Sequence, residues 1–191
     1  MFIAGPFQAG KTTFIHTLDP NAMSVERDMK ELYRGKKATT TVGFDLGRVI
    51  WVRKSIGSRG LIVPKKNYHI EKKEYDGWIT KEIELRGAPG QLHFKTVRET
   101  FMGGADGVFF VLDSSDTATI GAAVTILSEI EIGLHGVPIE IIANKQDLPD
   151  AAIPSEVARW LGVNEAFGMS AKDRESCKDA VGSLLLRIEA H

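Results

Sequence analysis

Short apolar runs alternate with longer amphipathic stretches along the whole chain. The runs that predict strands are Met1–Ala4, Val42–Val52, Trp78–Leu85, Gly107–Leu112 and Ile139–Ala143. The stretches that predict helices lie near Lys11–Leu18, Thr117–Gly133, Pro154–Trp160 and Ser176–Ala190. Strands that alternate with helices are typical of a mostly parallel sheet covered by helices on both faces. The pattern therefore predicts a three-layer α/β domain with a mostly parallel sheet.

Two long polar segments, 19–40 and 53–77, interrupt this pattern. Connections of this length inside a compact domain usually carry a function or act as linkers. Between positions 53 and 76 the chain has seven Lys or Arg residues against three Asp or Glu. The apolar triplet Leu61-Ile62-Val63 indicates an enlarged or additional hairpin there. Its surplus positive charge fits a solvated extension or a docking surface for a protein or an anionic lipid.

A glycine-rich turn follows the first predicted strand. Gly5-Pro6-Phe7-Gln8-Ala9-Gly10-Lys11-Thr12 fits the pattern G-x-x-x-x-G-K-[ST] at every fixed position. Its glycines let successive N–H groups converge on an anion at the start of the helix. Lys11 is predicted to reach the β- and γ-phosphates and Thr12 to ligate Mg²⁺. The residues expected to hold the phosphates are Gln8, Ala9, Gly10, Lys11, Thr12 and Thr13.

The choice of base depends on a second motif, Asn144-Lys145-Gln146-Asp147, at the end of a buried strand. The Asp147 carboxylate can accept hydrogen bonds from N1–H and the 2-amino group of guanine, and adenine offers neither donor. The Lys145 stem can cover the base, and Asn144 can tie this loop to the phosphate loop. The motif predicts GTP and GDP as ligands, whereas an ATP-dependent kinase or ATPase would bind ATP at least as tightly.

Three further motifs follow in a familiar order. Thr39-Thr40-Thr41-Val42-Gly43-Phe44-Asp45 begins a strand, Arg86-Gly87-Ala88-Pro89-Gly90-Gln91 ends the next, and Ser170-Ala171-Lys172 comes late in the chain. With the phosphate and base motifs, they resemble the five G motifs of Ras-superfamily small GTPases. The resemblance is strongest to the Arf-like and prokaryotic branch, which includes the bacterial polarity GTPases. It implies one P-loop G domain over 1–191 with a six-stranded, mostly parallel sheet, an extended switch I segment (19–40) and an enlarged interswitch hairpin (53–77).

The resemblance also implies roles for individual residues. Thr41 matches the switch I threonine that senses the γ-phosphate through Mg²⁺, which makes Thr12 and Thr41 the implied metal ligands. Gly90 matches the glycine whose N–H contacts that phosphate, and Gln91 matches the glutamine that orients the attacking water. The implied catalytic residues are Gln91, Lys11 and Thr41. Ser170, Ala171 and Lys172 match the loop whose backbone donates to the guanine O6.

One position departs from the family pattern. The family usually has an aspartate at the position of Gly87, where it holds Mg²⁺ through a water. Glycine cannot do this, so the metal is expected to be held by Thr12, Thr41, the phosphates and waters, with or without another carboxylate. Asp113 is expected to be structural and is one candidate for that carboxylate. The departure also leaves open an alternative function, a scaffold that binds GTP without appreciable hydrolysis. Arg34 could act as an arginine finger in cis or be solvated loop charge.

Composition narrows the partners. Lys plus Arg (24) nearly balances Asp plus Glu (25), so the chain lacks the global positive charge typical of nucleic-acid binding. The single cysteine, Cys177, cannot form an internal disulfide, which favours a cytoplasmic location. The sequence has no apolar run of about 18 residues, so an integral membrane segment is not expected, and any peripheral membrane contact would have to come from a surface patch or a partner. The family resemblance implies GTPase-activating proteins, exchange factors and effectors as partners.

Overall fold

The computed structural model describes residues 1–28, 41–91 and 95–190, without the side chains of 25–28, 41–43 and 97. Its strands are β1 (Phe2–Ala4), β2 (Met23–Asp28), β3 (Thr41–Arg53), β4 (Leu61–Pro64), β5 (Ile79–Gly87), β6 (Val108–Asp113), β7 (Ile139–Asn144) and β8 (Phe167–Gly168). Its α-helices are α1 (Lys11–Leu18), α2 (Lys65–Glu71), α3 (Lys95–Met102), α4 (Ile120–Gly133), α5 (Pro154–Leu161) and α6 (Arg174–Ala190). Short 3₁₀ helices cover Lys72–Tyr75 and Thr117–Thr119.

The strands form one mixed sheet in the order β2-β3-β5-β1-β6-β7-β8, with β4 also paired to β3. The pairs β1–β5, β1–β6, β6–β7 and β7–β8 are parallel, and β3 pairs antiparallel with β2, β4 and β5. The predicted α/β class with a mostly parallel sheet is confirmed. The described residues form eight strands in this sheet, whereas six were expected for the G domain.

Two strands outside the predicted runs, the six-residue β2 and the four-residue β4, lie along one edge of β3. Strand β2 pairs with Thr41–Leu46 of β3, and β4 pairs with Val49–Val52. An edge strand is held largely by its main-chain hydrogen bonds. The polar sequence of β2 therefore gives little indication that it forms a strand. The segment expected as a hairpin holds β4, helix α2 and a 3₁₀ turn.

Helices cover both faces of the sheet and enclose two apolar cores. On one face α1 and α6 pack on the sheet, with the Phe14 and Phe109 rings 5.2 Å apart and nearly perpendicular. On the other face α3, α4 and α5 pack around the Phe2 and Phe110 side chains. The predicted three-layer arrangement is confirmed. In the part of the chain that the structure describes, no helix is long and apolar enough to cross a membrane.

The end of β3 is fixed to the last helix. Both terminal nitrogens of Arg53 donate to the Glu189 carboxylate, at 2.6 and 2.5 Å. The same guanidinium lies 4.2 Å from the centre of the Trp51 ring. Its hydrogen bonds hold the pKa of Glu189 below the ordinary value. A paired arginine–carboxylate contact on a buried guanidinium is among the stronger polar links in proteins, so it anchors this end of β3.

Cys177 packs inside the core that α6 covers. It is fully buried, and its Sγ lies 3.5 Å from the Ala171 carbonyl oxygen. Burial raises the pKa of the Cys177 thiol to about 12, and Asp173 adds to the rise. We expect the native thiol to react with an aromatic disulfide reagent at pH 8 roughly a thousand-fold more slowly than the unfolded chain, because it is hardly ionised. Rapid labelling without denaturant would contradict this.

Candidate functional site

The turn between β1 and α1 forms a backbone cradle. Gly5 has φ +136° and Gly10 has φ +99°, values that favour glycine. A Cβ on Gly5 would lie 2.0 Å from the Val111 carbonyl oxygen, and one on Gly10 would lie 2.2 Å from Asn144 Nδ2. Both glycines are therefore required by close contacts as well as by backbone conformation.

Lys11 lies inside this cradle and is 9% exposed. Its Nζ donates to the carbonyl oxygens of Gly5 (3.0 Å) and Pro6 (2.6 Å). Burial lowers the pKa of Lys11 to about 8, against the opposing effect of Asp45. An ammonium group carries three N–H donors, so Lys11 can add a phosphate oxygen to these contacts.

A cavity of about 610 Å³ opens above Lys11. This volume suits a nucleotide-sized ligand. On one wall, the Thr12 hydroxyl donates to Asp45 Oδ2 at 2.6 Å. The predicted site residues that line it are Gln8, Gly10, Lys11, Thr12, Thr13, Gly90, Gln91 and Lys145. Ala9 is fully buried beneath the loop.

Gly90 and Gln91 form the wall opposite the phosphate loop. A Cβ on Gly90 would lie 2.4 Å from the Pro6 carbonyl oxygen, so only glycine allows this approach. The Gln91 carbonyl oxygen accepts a hydrogen bond from Arg98 Nη1 at 2.7 Å. Arg98 is 2% exposed, and its Nη2 donates to Glu129 Oε2 at 2.6 Å. The backbone at Gln91 is thereby tied to α3 and α4.

Asn144 joins three loops at the end of β7 and is 1% exposed. Its Nδ2 donates to the Ala9 carbonyl oxygen at 2.7 Å, and its Oδ1 accepts from the Ala171 N–H at 2.8 Å. The Thr17 hydroxyl on α1 donates to the Ala171 carbonyl oxygen at 2.6 Å. The phosphate loop and the Ser170–Lys172 loop are therefore fixed to each other.

Asp147 lies beside a second cavity of about 230 Å³. Its carboxylate accepts from Ser170 Oγ at 2.8 Å and from Lys172 Nζ at 3.0 Å. These bonds, the one from Ser170 above all, hold the pKa of Asp147 below the ordinary value. The cavity shares Gly10, Thr13 and Lys145 with the larger one, so the two adjoin.

Lys145 adopts a left-handed conformation (φ +67°), and its ammonium pairs with the Asp113 carboxylate. Burial acts to raise the pKa of Asp113, but hydrogen bonds from Lys145 and Ser115 outweigh it and hold the pKa below the ordinary value. Asp113 is absent from the lining of the phosphate cavity. Its observed contacts are to Lys145 and Ser115, so it positions Lys145.

Switch I is described only in part. Residues 29–40, among them Arg34, lie outside the described residues, and so does the side chain of Thr41. The backbone of Thr41 pairs with Asp28 and begins β3, four residues before Asp45. At about 3.3 Å per residue, it lies roughly 13 Å along the strand from Asp45. This conformation therefore does not bring Thr41 to Thr12, and its metal role stays a prediction.

Sequence reasoning missed three residues that shape the site: Asp45, Thr17 and Arg98. Asp45 is part of the motif at the start of β3, yet only the strand register shows that it lies opposite Gly87. Thr17 follows the phosphate motif by one helical turn, which places it on the side of α1 that faces Ala171. Arg98 carried no signal, because a lone arginine on an amphipathic helix usually faces solvent.

A phosphate loop and a base-recognition loop joined in this way at the carboxyl edge of a mostly parallel sheet define the small-GTPase class of P-loop proteins. The sequence motifs predicted that class, within the Ras superfamily. The chain belongs to the ADP-ribosylation factor family, whose sequence model matches residues 55–180, more than half of the chain. The match covers the base-recognition motifs and begins after the phosphate loop.

Individual relatives agree with this family. The chain is 33% identical to ADP-ribosylation factor-like protein 6 of Caenorhabditis elegans over 79 residues, which are 39% of this chain and 42% of that protein. It is 25% identical to ADP-ribosylation factor-like protein 3 of Chlamydomonas reinhardtii over 143 residues, 73% of this chain and 78% of that protein. The match to the nematode protein thus spans less than half of that relative's length.

Proposed function

We propose that the chain binds GTP and GDP across the two adjoining cavities. The observation that carries this proposal is Asn144, which fixes the phosphate loop through Ala9 and the base loop through Ala171. Lys11 and the loop N–H groups provide positive charge and donors for the phosphates. Asp147 provides an ionised acceptor for the guanine N1–H and 2-amino groups. Ser170, Ala171 and Lys172 close the base side.

We propose further that the chain hydrolyses GTP slowly and in a Mg²⁺-dependent manner. Gln91, at the mouth of the phosphate cavity, orients the attacking water, and the Gly90 N–H contacts the γ-phosphate. The Thr12 hydroxyl is a hard oxygen donor of the kind that Mg²⁺ prefers, and Thr41 is its proposed second protein ligand. Bound Mg²⁺ supplies charge that neutralises the β- and γ-phosphate oxygens. Turnover on the order of 10⁻⁴ s⁻¹ is expected if this chain supplies no arginine finger of its own to the phosphates.

Gln91→Leu is the substitution that tests hydrolysis. We expect single-turnover phosphate release to fall at least about tenfold, because leucine cannot hydrogen-bond the attacking water. GDP affinity measured on the same preparation is the control and should change little, since the Gln91 carbonyl that Arg98 contacts is retained. If the native chain hydrolyses GTP and Gln91→Leu does not, the chain is not a scaffold that leaves GTP intact. No hydrolysis by the native chain would favour the scaffold, and equal, measurable rates in the two proteins would contradict the role of Gln91.

The cellular role proposed here is a nucleotide-dependent switch. The γ-phosphate is expected to hold the switch I segment and the loop at Gly90, and its loss to release them. The proposed unit is one G domain over 1–191 that includes the long segments 19–40 and 53–77. It would present the switch I segment and the loop at Gly90 to activating proteins, exchange factors and effectors. The single cysteine, which has no internal disulfide partner, supports a cytoplasmic location, and the surplus of Lys and Arg between positions 53 and 76 supports peripheral membrane contact.

A further inference from the structure

Gly87 and Asp45 face each other across two paired strands. Gly87 ends β5, and its Cα partner on antiparallel β3 is Asp45. A Cβ built on Gly87 would lie 3.3 Å from Asp45 Cβ and 3.4 Å from Asp45 Oδ2. The Asp45 carboxylate thus reaches the space that a side chain at position 87 would enter. The space beside Gly87 on β5 is thus occupied by a carboxylate from the neighbouring strand β3.

The carboxylate is fixed in this place by polar neighbours. Asp45 Oδ2 accepts from the Thr12 hydroxyl and Oδ1 accepts from Ser24 Oγ, both at 2.6 Å. His16 Nε2 lies 3.9 Å from Oδ1 and 3.1 Å from Ser24 Oγ. The side chain of Asp45 is 13% exposed. It is therefore preorganised beside Thr12, at the edge of the phosphate cavity.

A phosphate in this cavity would bring a second negative charge towards a largely buried carboxylate. Such a pair is unfavourable unless a cation lies between the two groups. Lys11 provides one positive charge but is enclosed by the loop carbonyls of Gly5 and Pro6. A divalent ion bound by phosphate oxygens, the Thr12 hydroxyl and waters would relieve the repulsion, and one carboxylate with substrate phosphates is a usual way of holding Mg²⁺.

We infer that Asp45 holds the nucleotide-bound Mg²⁺ in place of the carboxylate absent at position 87. This inference rests on the proposed binding of GTP and GDP. Within the described ranges, no three acidic, histidine or cysteine side chains come together as a metal site. The ion must therefore take most of its ligands from phosphate and water. It binds only together with the nucleotide, and Mg²⁺ in turn retains the nucleotide.

The test measures how Mg²⁺ affects release of a fluorescent GDP analogue, in millimolar Mg²⁺ and in EDTA. In the native chain Mg²⁺ is expected to slow release. Asp45→Asn keeps an oxygen for Thr12 but removes the charge, so the Mg²⁺ effect should shrink about 10- to 100-fold, with little change in EDTA. Mn²⁺ affinity of the GDP complex, from electron paramagnetic resonance, should weaken by the same factor. Glu84→Gln, a charge loss at an exposed position of β5, is the matched control.

A swap of the two positions, Asp45→Gly with Gly87→Asp, keeps the test decisive if Asp45→Asn folds poorly. The Cβ of the new residue at position 87 has only the Ile15 Cδ1 atom within 3 Å, and that end of a flexible side chain can move. Restored Mg²⁺ dependence in the swap supports the inference. A Mg²⁺ effect in Asp45→Asn equal to that in Glu84→Gln, or no Mg²⁺ effect in a native chain that binds GDP, overturns it. A native chain that binds no GDP in either buffer contradicts the proposed function itself.

Discussion

Replacing Asp147 with asparagine is expected to weaken GDP and GTP binding by about 10²- to 10⁴-fold. The carboxylate would accept two hydrogen bonds from guanine, and each bond to a charged acceptor contributes about 1.5–3 kcal/mol. The amide of asparagine meets these donors with at most one acceptor. Because Ser170 and Lys172 already orient the carboxylate, the loss is not masked by reorganisation of the site. Displacement of a bound fluorescent GDP analogue by GTP, ATP or xanthosine triphosphate measures the affinity for each nucleotide.

Xanthosine triphosphate gives the substitution a second readout. Xanthine carries an oxygen where guanine has the 2-amino group, so the new amide N–H gains an acceptor there. The preference for GTP over ATP should disappear, and the affinity for xanthosine triphosphate should rise. Asp150→Asn removes a charge from an exposed residue three positions away and should change none of these affinities. ATP binding as tight as GTP binding in the native chain would contradict the assignment of the base pocket.

Asn144→Ala is expected to lower both stability and nucleotide affinity. The substitution leaves the Ala9 carbonyl and the Ala171 N–H without the partners that the amide provides. Two unsatisfied buried groups cost about 2–4 kcal/mol, which corresponds to a fall in Tm of roughly 5–15 °C for a domain of this size. The phosphate and base loops also lose their link, so GDP affinity should fall beyond the loss of stability. Thermal unfolding with and without GDP measures the two effects.

Asn164→Ala provides the control, since Asn164 is exposed on the loop before β8. It should leave Tm and GDP affinity within error of the native values. If Asn144→Ala behaves in the same way, the two hydrogen bonds at the end of β7 contribute nothing to the fold or to the site. If only Tm falls, Asn144 supports the core and does not couple the loops.

The central strands and the long helices could be predicted because their signals are local. The buried strands β6 and β7 are compact, mostly apolar runs, and the phosphate motif fixes where α1 begins. Strand β2, with the sequence Met-Ser-Val-Glu-Arg-Asp, has no such signal, because pairing with β3 defines it. Helix α2 is short, has no buried residues and was expected as part of a hairpin.

The site shows the same limit. The motifs gave the residues of the phosphate and base loops, because those loops are contiguous in sequence. Asp45 could not be assigned in this way, since its importance comes from the β3–β5 register and from Thr12, 33 residues away. Asp113 was one sequence candidate for the same place, and the structure shows it paired with Lys145. Strand register is a long-range property that a single sequence specifies only weakly.

The link between Arg53 and Glu189 restricts how β3 can move. A slide of two residues along β5 would carry Arg53 about 6–7 Å, enough to break both of its hydrogen bonds to Glu189. A bend near Thr41, at the opposite end of the strand, would leave both intact. Strand β3 is therefore anchored at its Arg53 end, and the fold favours bending of the strand near Thr41 over sliding of the whole strand.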